Sequence, residues 1–345
     1  MKISIIGASG YTGGELLRIL YKHKNVEIDK VISNSYKGQK ISELFPNFKN
    51  ILDIKFIGTD NLEEDLKESE AVFLAVPHKA AMQYVPDLMK WNKKIVDLSA
   101  DFRLDDKEIY EEWYKVEHTA ENLFKEAVYG LPELNREKIK SGKLIANPGC
   151  YPTTAILGLA PIVKKKAINL NSIIIDSKSG VSGAGKKCNK NTHYSETNEN
   201  FKAYAIASHR HTPEIEQELS KLAEEKVFIT FTPHLVPMTR GMLSTIYVDL
   251  KEDLTQEEIV NFYKEFYKNE KFIRIIGDAL VETKNVRGSN FVDIGIKKDK
   301  RTNRIVITSA IDNLLKGAST QAIQNLNLIC GFEESEGIDF IGYLP

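Results

Sequence analysis

The sequence predicts an α/β protein of two domains, the first built on a doubly wound parallel sheet and the second, an α+β domain, on a mostly antiparallel sheet. Three observations support this fold class. Short apolar runs alternate with helical patterns in the first third of the chain, the first strand-to-helix turn is rich in glycine, and longer strand-like runs follow residue 150. A chain of 345 residues is also longer than one hydrophobic core usually serves.

The parallel sheet is predicted from short apolar runs, and the first of them precedes a helical pattern over 14–23. The strand candidates of this sheet are 3–6, 26–33, 71–76, 95–98 and 144–146. Candidates for the second sheet are 172–178, 227–232, 243–250, 290–296 and 304–310, with an amphipathic helix over 256–267. A final helix over 314–328 could return to the first domain. We therefore predict a first domain of residues 1–149 and 312–345, and a second of residues 150–311.

The composition favours a small-molecule partner. With 47 basic and 48 acidic residues the net charge is −1, which provides no electrostatic attraction for nucleic acid or a membrane surface. The apolar opening is too short for a signal peptide, and no run of about 18 apolar residues occurs, so a cytoplasmic protein is expected. Cysteines at 150, 188 and 330 match neither a disulfide framework nor a paired metal motif.

A glycine-rich turn joins the first strand to the first helix. Its spacing is G-x-x-G-x-x-G, and glycines there allow a tight turn and close approach to a pyrophosphate at the positive end of the helix. This position is typical of a Rossmann-type dinucleotide-binding domain, although a turn without a ligand is the alternative. The predicted cofactor contacts in the turn are Gly7, Ser9, Gly10, Tyr11, Thr12 and Gly13.

The end of the second strand bears on the choice of dinucleotide. An acidic residue there would bind the ribose 2′-hydroxyl and repel a 2′-phosphate. Here Ser33, Asn34 and Ser35 occupy that place, with Lys37 and Lys40 close behind. Hydroxyl and amide groups beside two lysines favour NADP, with Ser33 and Ser35 as contacts. The alternative is that the lysines only solvate a surface loop.

Cys150 lies in ANPGCYPT, immediately before an apolar run. Pro148 and Gly149 end the preceding strand, Pro152 is tolerated in a first helical turn, and Pro161 is expected to stop the apolar run. Cys150 is therefore predicted at or just before a helix N-terminus, where the helix dipole and unpaired N–H groups favour the reactive thiolate. A charged or hydrogen-bonding neighbour is needed as well. The alternative is a buried structural cysteine, and Cys188 and Cys330 lack such a setting.

An acid/base partner for the thiol is predicted in SHRHTPEIEQEL. His209 and His211 lie two residues apart, Pro213 can open a helix, and Glu214 lies in its first turn. A zinc site is the rival interpretation of H-x-H, but no further ligand cluster follows at a useful spacing, so no metal is predicted. His234 is a weaker alternative base.

Residues suited to a phosphate or carboxylate complete the predicted site. The stretch SKSGVSGAGKK, residues 177–187, is rich in small donors and backbone N–H groups and ends in two lysines. Arg103 and Arg240 are candidates to bind a carboxylate or phosphate, or to be structural. A thiol nucleophile combined with a nicotinamide domain indicates thioester chemistry, and the phosphate-binding loops suggest an acyl phosphate as substrate.

The chain resembles the N-acetyl-gamma-glutamyl-phosphate reductases, which are related to aspartate-semialdehyde dehydrogenase. The resemblance covers essentially the whole chain. Its motifs are GASGYTGGEL, DLSADFR, YGLPE, NPGCYPT, SGVSGAG, HRHTPEI, TPHLVPMTRG and KGASTQAIQNLNL. The glycine turn alone occurs in many families, whereas YGLPE, NPGCYPT and HTPE together are far more specific.

The resemblance implies an NADP-dependent enzyme of arginine biosynthesis with a catalytic and oligomerisation domain, working as a homodimer or homotetramer. Cys150 would attack an acyl phosphate, phosphate would leave, and NADPH would reduce the thioester to N-acetylglutamate 5-semialdehyde. His211 looks like the acid/base, with His209 as a near alternative. The implied phosphate contacts are Ser179, Ser182 and Gly183. The implied substrate contact is Glu214, which would help to place the substrate or the histidine. Pro77 and Asn313 are the implied cofactor contacts. Lys186 departs from the arginine expected after SGAG, so bidentate phosphate recognition is lost there.

Two alternatives remain at this level. The same chemistry could act on N-acetyl-aminoadipyl phosphate or aspartyl phosphate, because one methylene is worth only about 1 to 3 kcal/mol in a binding pocket. A non-catalytic dinucleotide-sensing protein on the same fold is the alternative from a different class. It would require loss of the nucleophile or the base, and both residues are present.

Overall fold

Residues 1–343 are described by the structure, a computed structural model, and they divide into two units. The first unit comprises Met1–Pro148 and Ala318–Asp339, and the second comprises Gly149–Gly317 with residues 340–343. Within this part of the chain each unit contains a seven-stranded sheet. No helix in the same range has the length and apolar character needed to cross a membrane.

A parallel sheet forms the centre of the first unit. Its elements are β1 (Lys2–Ile6), α1 (Tyr11–Leu20), β2 (Glu27–Ile32), α2 (Ile41–Leu44), β3 (Phe56–Ile57), α3 (Leu62–Asp65), β4 (Ala71–Leu74), α4 (Ala81–Lys90), β5 (Lys94–Asp97), α5 (Lys107–Tyr114), β6 (Ala127–Tyr129), α6 (Pro132–Ser141) and β7 (Leu144–Ala146). The strand order is β3-β2-β1-β4-β5-β7-β6, and every pairing is parallel. β4 is buried at every residue, as a central parallel strand should be. The predicted doubly wound sheet is confirmed.

The second unit contains a mixed sheet. Its elements are α7 (Cys150–Lys164), β8 (Ile174–Gly180), α8 (Tyr194–Thr197), β9 (Lys202–Ala203), α9 (Thr212–Ala223), β10 (Thr230–Val236), β11 (Met242–Asp249), α10 (Gln256–Phe266), β12 (Ile273–Gly277), β13 (Val292–Asp299) and β14 (Arg304–Ile311). The order is β12-β13-β14-β11-β8-β10-β9. The pairs β8–β10 and β12–β13 are parallel and the others antiparallel, which confirms the mostly antiparallel sheet.

α7 is the central helix of the second unit and packs against β11, β14, α9 and α10. It continues to Lys164, so the prediction that Pro161 stops the apolar run is wrong. Proline lacks an N–H and leaves the carbonyl four residues earlier without its helical partner. That carbonyl belongs to Leu157, and the Tyr267 hydroxyl donates to it at 2.6 Å. Tyr263 likewise donates to the Gly158 carbonyl at 2.7 Å. These hydroxyls allow the helix to continue through a proline.

The last helix, α11 (Thr320–Cys330), belongs to the first unit and follows a π-helical turn, Leu315–Ser319. It packs against α6 and β5. The Asn325 amide donates to the Gly130 carbonyl at 2.8 Å and to Asn147 Oδ1 at 3.0 Å. Near the C-terminal end of the helix the Lys94 ammonium donates to the Ile329 carbonyl at 2.7 Å. The helix is therefore fixed to the first unit at its middle and at its C-terminal end.

Candidate active site

The glycine turn between β1 and α1 has the backbone geometry that the sequence predicts. Gly7 has φ +86°, and a Cβ there would lie 2.3 Å from the Ala75 carbonyl oxygen. A Cβ on Gly13 would lie 2.5 Å from Ala8 Cα. Both contacts are far shorter than van der Waals separation, so these two glycines are required by the fold itself.

Gly10 differs from the other two glycines because it leaves room for a ligand. It is the N-cap of α1, its Cβ would meet nothing nearer than the Gly7 carbonyl oxygen at 3.9 Å, and no acidic residue lies in the first turn of the helix. As a glycine, the N-cap has no side chain to cap the N–H groups of this turn. Tyr11 is 40% exposed beside it, and the Thr12 carbonyl accepts a hydrogen bond from Ser319 Oγ at 3.1 Å. A pyrophosphate fits this helix start.

The residues predicted for the ribose end of the cofactor lie at the end of β2. Ser33 Oγ donates to Ser9 Oγ at 3.0 Å, so two predicted contacts meet. Ser35 is exposed in the following turn. Lys37 and Lys40 form ion pairs with Asp60 and Asp53 at 2.6 and 2.8 Å. Surface pairs of this kind are worth only about 0 to 1 kcal/mol, so an incoming phosphate could replace the carboxylates.

Two further predicted residues of the first unit have different environments. Pro77 is exposed, in a loop held by Asp101, whose carboxylate accepts the N–H groups of Lys79 and Met82 at 2.7 and 3.2 Å. Arg103 is buried and donates to the carbonyls of Asn147 and Leu98 at 2.8 and 2.9 Å. These bonds give Arg103 a structural role, and its predicted contact with substrate stays a prediction.

Cys150 is the first residue of α7, and its predicted position at a helix N-terminus is confirmed. Gly149 is the N-cap, and its N–H donates to Glu214 Oε1 at 2.8 Å. Glu214 is 1% exposed and lies in the first turn of α9, which Pro213 opens as predicted. The buried carboxylate therefore fixes the backbone immediately before the thiol.

Imidazole and aromatic rings surround Tyr151, the residue after the thiol. Its ring centroid lies 5.4 Å from that of His209, 5.9 Å from His211 and 5.4 Å from Phe231. The Tyr204 hydroxyl donates to the Tyr151 hydroxyl at 3.1 Å, and Tyr151 donates to the His234 carbonyl at 3.3 Å. Segments distant in sequence thus meet next to Cys150.

The two histidines of H-x-H are in contact, and His209 is also hydrogen-bonded to the backbone. His209 Nδ1 accepts the backbone N–H of His211 at 3.1 Å, and the two rings lie 4.8 Å apart. Burial, and then the nearby Arg210 charge, lowers the pKa of His209 to about 4. His209 is therefore neutral near pH 7, with one ring nitrogen already used as an acceptor.

Tyr204 is close enough to Cys150 to respond to its charge. Burial is the largest cause that raises the pKa of Tyr204, to about 12, and the Cys150 charge acts in the same direction. The hydrogen bond with Tyr151 and the Arg210 charge act in the opposite direction. Tyr204 therefore keeps its proton, and it belongs to the surroundings of the thiol.

The predicted phosphate loop begins in the last residues of β8, and part of its backbone is hydrogen-bonded to a neighbouring turn. The N–H groups of Gly180, Val181 and Ser182 donate to the carbonyls of Gly241, Met238 and Thr239, so these three do not form the predicted cradle of N–H groups. The physical reason is that buried N–H groups need a partner, and the neighbouring turn supplies carbonyls.

Side chains of this loop form a connected set. Ser179 is 3% exposed, and a Cβ on Gly183 would lie 3.0 Å from its hydroxyl. Asn313 Nδ2 donates to Ser182 Oγ at 2.9 Å, and Asn313 Oδ1 accepts the Gly241 N–H at 2.8 Å. Asn313 lies in the second unit, where it joins the loop to the turn containing Gly241.

The remaining candidates have acidic neighbours. His234 Nδ1 lies 3.0 Å from Asp176 Oδ1, and Arg240 Nη1 lies 3.7 Å from Asp312 Oδ2. Over residues 1–343, no group of three or more His, Cys, Asp or Glu side chains could hold a metal ion.

Both units match known protein families. Residues 2–142 match the family model described as the NAD binding domain of semialdehyde dehydrogenase, and residues 150–313 match its dimerisation domain. An N-acetyl-gamma-glutamyl-phosphate reductase from Pelotomaculum thermopropionicum is 51% identical over 100% of this chain and 99% of that protein. The chain belongs to the N-acetyl-gamma-glutamyl-phosphate reductase family.

Further members of this family match with similar completeness. The reductases from Desulforamulus reducens and Geotalea daltonii are 48% and 51% identical, and each alignment covers 100% of both chains. Among solved structures, aspartate semialdehyde dehydrogenase II from Vibrio cholerae has a TM-score of 0.74 at 17% identity, covering 96% of this chain and 98% of that one. The enzyme from Candida albicans with NADP has a TM-score of 0.70 at 16% identity, covering 95% and 98%. These two likenesses concern the fold.

Sequence reasoning missed three residues near the thiol. Tyr151 and Tyr204 join the imidazole cluster, and a Cβ on Gly317 would lie 2.8 Å from Cys150 Cβ. Tyr151 adjoins the cysteine and could have been suspected. No local pattern indicates that Tyr204 or Gly317 approaches Cys150, because these contacts are made by segments far apart in sequence.

The lowered pKa of His209 predicts a specific dependence of stability on pH. The ordinary pKa of histidine is 6.5, and that of His209 in the folded protein is about 4. Between these two pH values the unfolded chain binds a proton at His209 and the folded chain does not. Stability should therefore fall as pH decreases across this window, by roughly 3 kcal/mol. His209→Asn, whose Oδ1 can replace Nδ1 as acceptor, should lose this component in denaturant titrations.

The comparison must be made between the variant and the natural protein, because other groups also titrate. Burial, and then the Asp101 charge, raises the pKa of Asp97 to about 7, which makes stability fall as pH rises from about 4 to 7. That component is common to both proteins and cancels in the difference. Parallel stability curves for the two proteins between pH 4 and 6.5 would contradict the assignment.

Proposed function

We propose that this protein catalyses the NADPH-dependent reduction of N-acetyl-gamma-glutamyl phosphate to N-acetylglutamate 5-semialdehyde, a step of arginine biosynthesis. The observation that carries the proposal is Cys150 at the first residue of α7, followed by Tyr151, whose ring contacts two imidazoles, in a chain that belongs to this reductase family. Relatives with that name match over the full length of the chain. A non-catalytic dinucleotide sensor would have no use for this arrangement.

Cys150 is proposed as the nucleophile. Its thiolate attacks the acyl carbon, the carbon–oxygen bond to phosphate breaks, and inorganic phosphate leaves a thioester on Sγ. The helix start favours the thiolate, and Glu214 keeps the preceding Gly149 N–H in place. When bound, NADPH supplies the hydride that brings the acyl carbon to the aldehyde level. Expulsion of the thiolate then releases the semialdehyde.

His211 is proposed as the acid/base. It protonates the carbonyl oxygen during reduction and removes the hydroxyl proton when the thiolate is expelled. The state of His209 supports this choice, since its low pKa and its bond to the His211 N–H suit a neutral, positioning imidazole. Ser179, Ser182 and Gly183 are proposed at the phosphate, with Arg103 and Glu214 as substrate or positioning contacts.

NADP is the proposed dinucleotide. The pyrophosphate would be held by the glycine turn, which contains Gly7, Ser9, Gly10, Tyr11, Thr12 and Gly13. The ribose would be held by Ser33 and Ser35. An acidic residue at position 33 would select NAD, and this chain has a serine there. The lysines at 37 and 40 also favour a dinucleotide with a 2′-phosphate. Pro77 and Asn313 are kept as further proposed cofactor contacts.

We assign cofactor binding to residues 1–149 and 312–345, and catalysis with oligomerisation to residues 150–311. A homodimer or homotetramer in the cytoplasm is proposed, and the match of residues 150–313 to a dimerisation domain supports the association of subunits. Acyl phosphates are small molecules, and the near-zero net charge is consistent with such a partner.

An assay in the reverse direction tests this function. N-acetylglutamate 5-semialdehyde, phosphate and NADP should give NADPH, with kcat/KM at least about tenfold above that for N-acetyl-aminoadipate semialdehyde, which carries one more methylene. Aspartate semialdehyde should be poorer still, because it lacks the acetamide. Equal activity with aspartate semialdehyde would overturn the substrate assignment. Equal kcat/KM values for NAD and NADP would overturn the cofactor assignment.

A further inference from the structure

Asp312 is a buried carboxylate at the start of the turn that follows β14. It is 0% exposed, and its side chain accepts three backbone N–H groups. Oδ2 accepts that of Gly288 at 2.8 Å, and Oδ1 accepts those of Leu314 and Leu315 at 2.9 and 3.2 Å. A carboxylate with three such donors is strongly fixed in place, and it fixes the turn in return.

The turn organised by Asp312 ends at Gly317, against the thiol-bearing residue. The Gly317 N–H donates to the Asp312 carbonyl at 3.0 Å, across five residues as in a π-helix, and this bond leads into the π-helical segment Leu315–Ser319. Such turns are rare and occur often at functional sites. A Cβ on Gly317 would lie 2.8 Å from Cys150 Cβ. The turn is thus in direct contact with Cys150 and leaves no space for a side chain.

The same short segment holds the phosphate loop. Asn313, next to Asp312, joins Ser182 to the Gly241 N–H, and the Arg240 guanidinium lies 3.7 Å from the Asp312 carboxylate. All these residues belong to the second unit. One anchored segment therefore contacts the nucleophile, the loop and the arginine.

We infer that Asp312 is a positioning residue of the reductase reaction, which acts through the π-helical turn and Gly317 to fix Cys150 relative to the Ser182 loop. This inference rests on the proposed role of Cys150 as nucleophile. Asp312 does not need to touch substrate. Its function is to hold the attacking atom and the phosphate-binding side chains in one fixed arrangement, for which displacements near 1 Å can cost about 100-fold in rate.

Asp312→Asn is the direct test. An amide offers one acceptor oxygen where the carboxylate offers two, so either the Gly288 N–H or the pair from Leu314 and Leu315 loses its partner. We expect kcat to fall about 10- to 100-fold, with KM and NADPH binding changed less than about threefold. The rate of Cys150 alkylation by iodoacetamide, followed across pH by mass spectrometry, should change in the same variant. Asp293→Asn removes another buried carboxylate of this unit, one bound to Arg274, and should leave the alkylation profile unchanged.

Gly317→Ala covers the case in which Asp312→Asn fails to fold. The new methyl group must displace Cys150 Cβ, so a similar loss in kcat and an altered alkylation profile are expected. Gly158→Ala, in the same helix as Cys150, is the matched control because its methyl group meets the flexible end of Ile246 at 3.0 Å. It should keep both properties within about twofold.

The outcomes separate this inference from the function on which it rests. The positioning role alone would be overturned by one combination of results. In that combination Cys150→Ser loses turnover, whereas Asp312→Asn and Gly317→Ala both keep unchanged kcat and alkylation. Turnover that persists in Cys150→Ser would overturn the proposed nucleophile. A lower melting temperature in Asp312→Asn with unchanged kcat and alkylation would show that the carboxylate is only structural, and would also overturn the inference.

Discussion

Cys150→Ser should reduce turnover more than about 1,000-fold while NADPH still binds. A serine hydroxyl is almost entirely protonated near pH 7, so neither the start of α7 nor a neighbouring histidine can supply enough alkoxide to form the acyl intermediate. The glycine turn of the first unit is untouched by this change. Steady-state rates in the reverse assay and NADPH fluorescence titration measure the two properties separately.

The other cysteines provide the controls for this prediction. Cys188 is exposed, and burial as the largest cause raises the pKa of Cys330 to about 11, so neither has the setting of a nucleophile. Cys188→Ser and Cys330→Ser should keep turnover within about twofold. A large loss of turnover in either control, or appreciable turnover in Cys150→Ser, would show that the thioester mechanism is wrong.

Gly7→Ala should destabilise the first unit by roughly 3 kcal/mol or more and abolish NADPH binding. Its φ of +86° disfavours any side chain, and the Cβ would lie 2.3 Å from the Ala75 carbonyl oxygen, which belongs to the backbone and cannot rotate away. Relief would require β1 and the segment after β4 to separate. Denaturant titration monitored by circular dichroism gives the change in unfolding free energy.

Gly10→Ala is the matched variant for this experiment. Its Cβ meets only the Gly7 carbonyl oxygen at 3.9 Å, so the fold should be retained. If a pyrophosphate lies at the start of α1, the same methyl group should raise the Kd for NADPH at least about tenfold. A Gly10→Ala protein that is stable and binds NADPH normally would contradict the proposed cofactor position.

Local chemistry made part of this protein predictable. Proline and glycine around Cys150 indicate the helix start, and Pro213 indicates that of α9, because these residues limit the backbone directly. The prediction from Pro161 was wrong, because the hydroxyl that replaces its missing hydrogen bond comes from Tyr267, the residue that follows α10. Local propensity is overridden wherever a distant segment supplies the missing partner.

The residues proposed as reactive could be named from the sequence, whereas the residues packed around them could not. Cys150 and His211 belong to recognisable motifs, whereas the bond from Tyr204 to Tyr151 and the approach of Gly317 to Cys150 Cβ arise only through the fold. The backbone N–H groups of the phosphate loop were predicted to bind a phosphate, but three of them donate to carbonyls of the turn containing Gly241. Nothing in the stretch SKSGVSGAGKK indicates that these carbonyls lie nearby.

The position of α11 in the chain has a consequence for biosynthesis. This helix completes the first unit through contacts such as that between Lys94 and Ile329, which are 235 residues apart in sequence. A ribosome must therefore translate residues 149–317 of the second unit before the parallel sheet obtains its last covering helix. Contacts this distant form slowly, and an exposed apolar sheet is prone to aggregate in the interval. The nascent first unit is the species for which a chaperone would matter most.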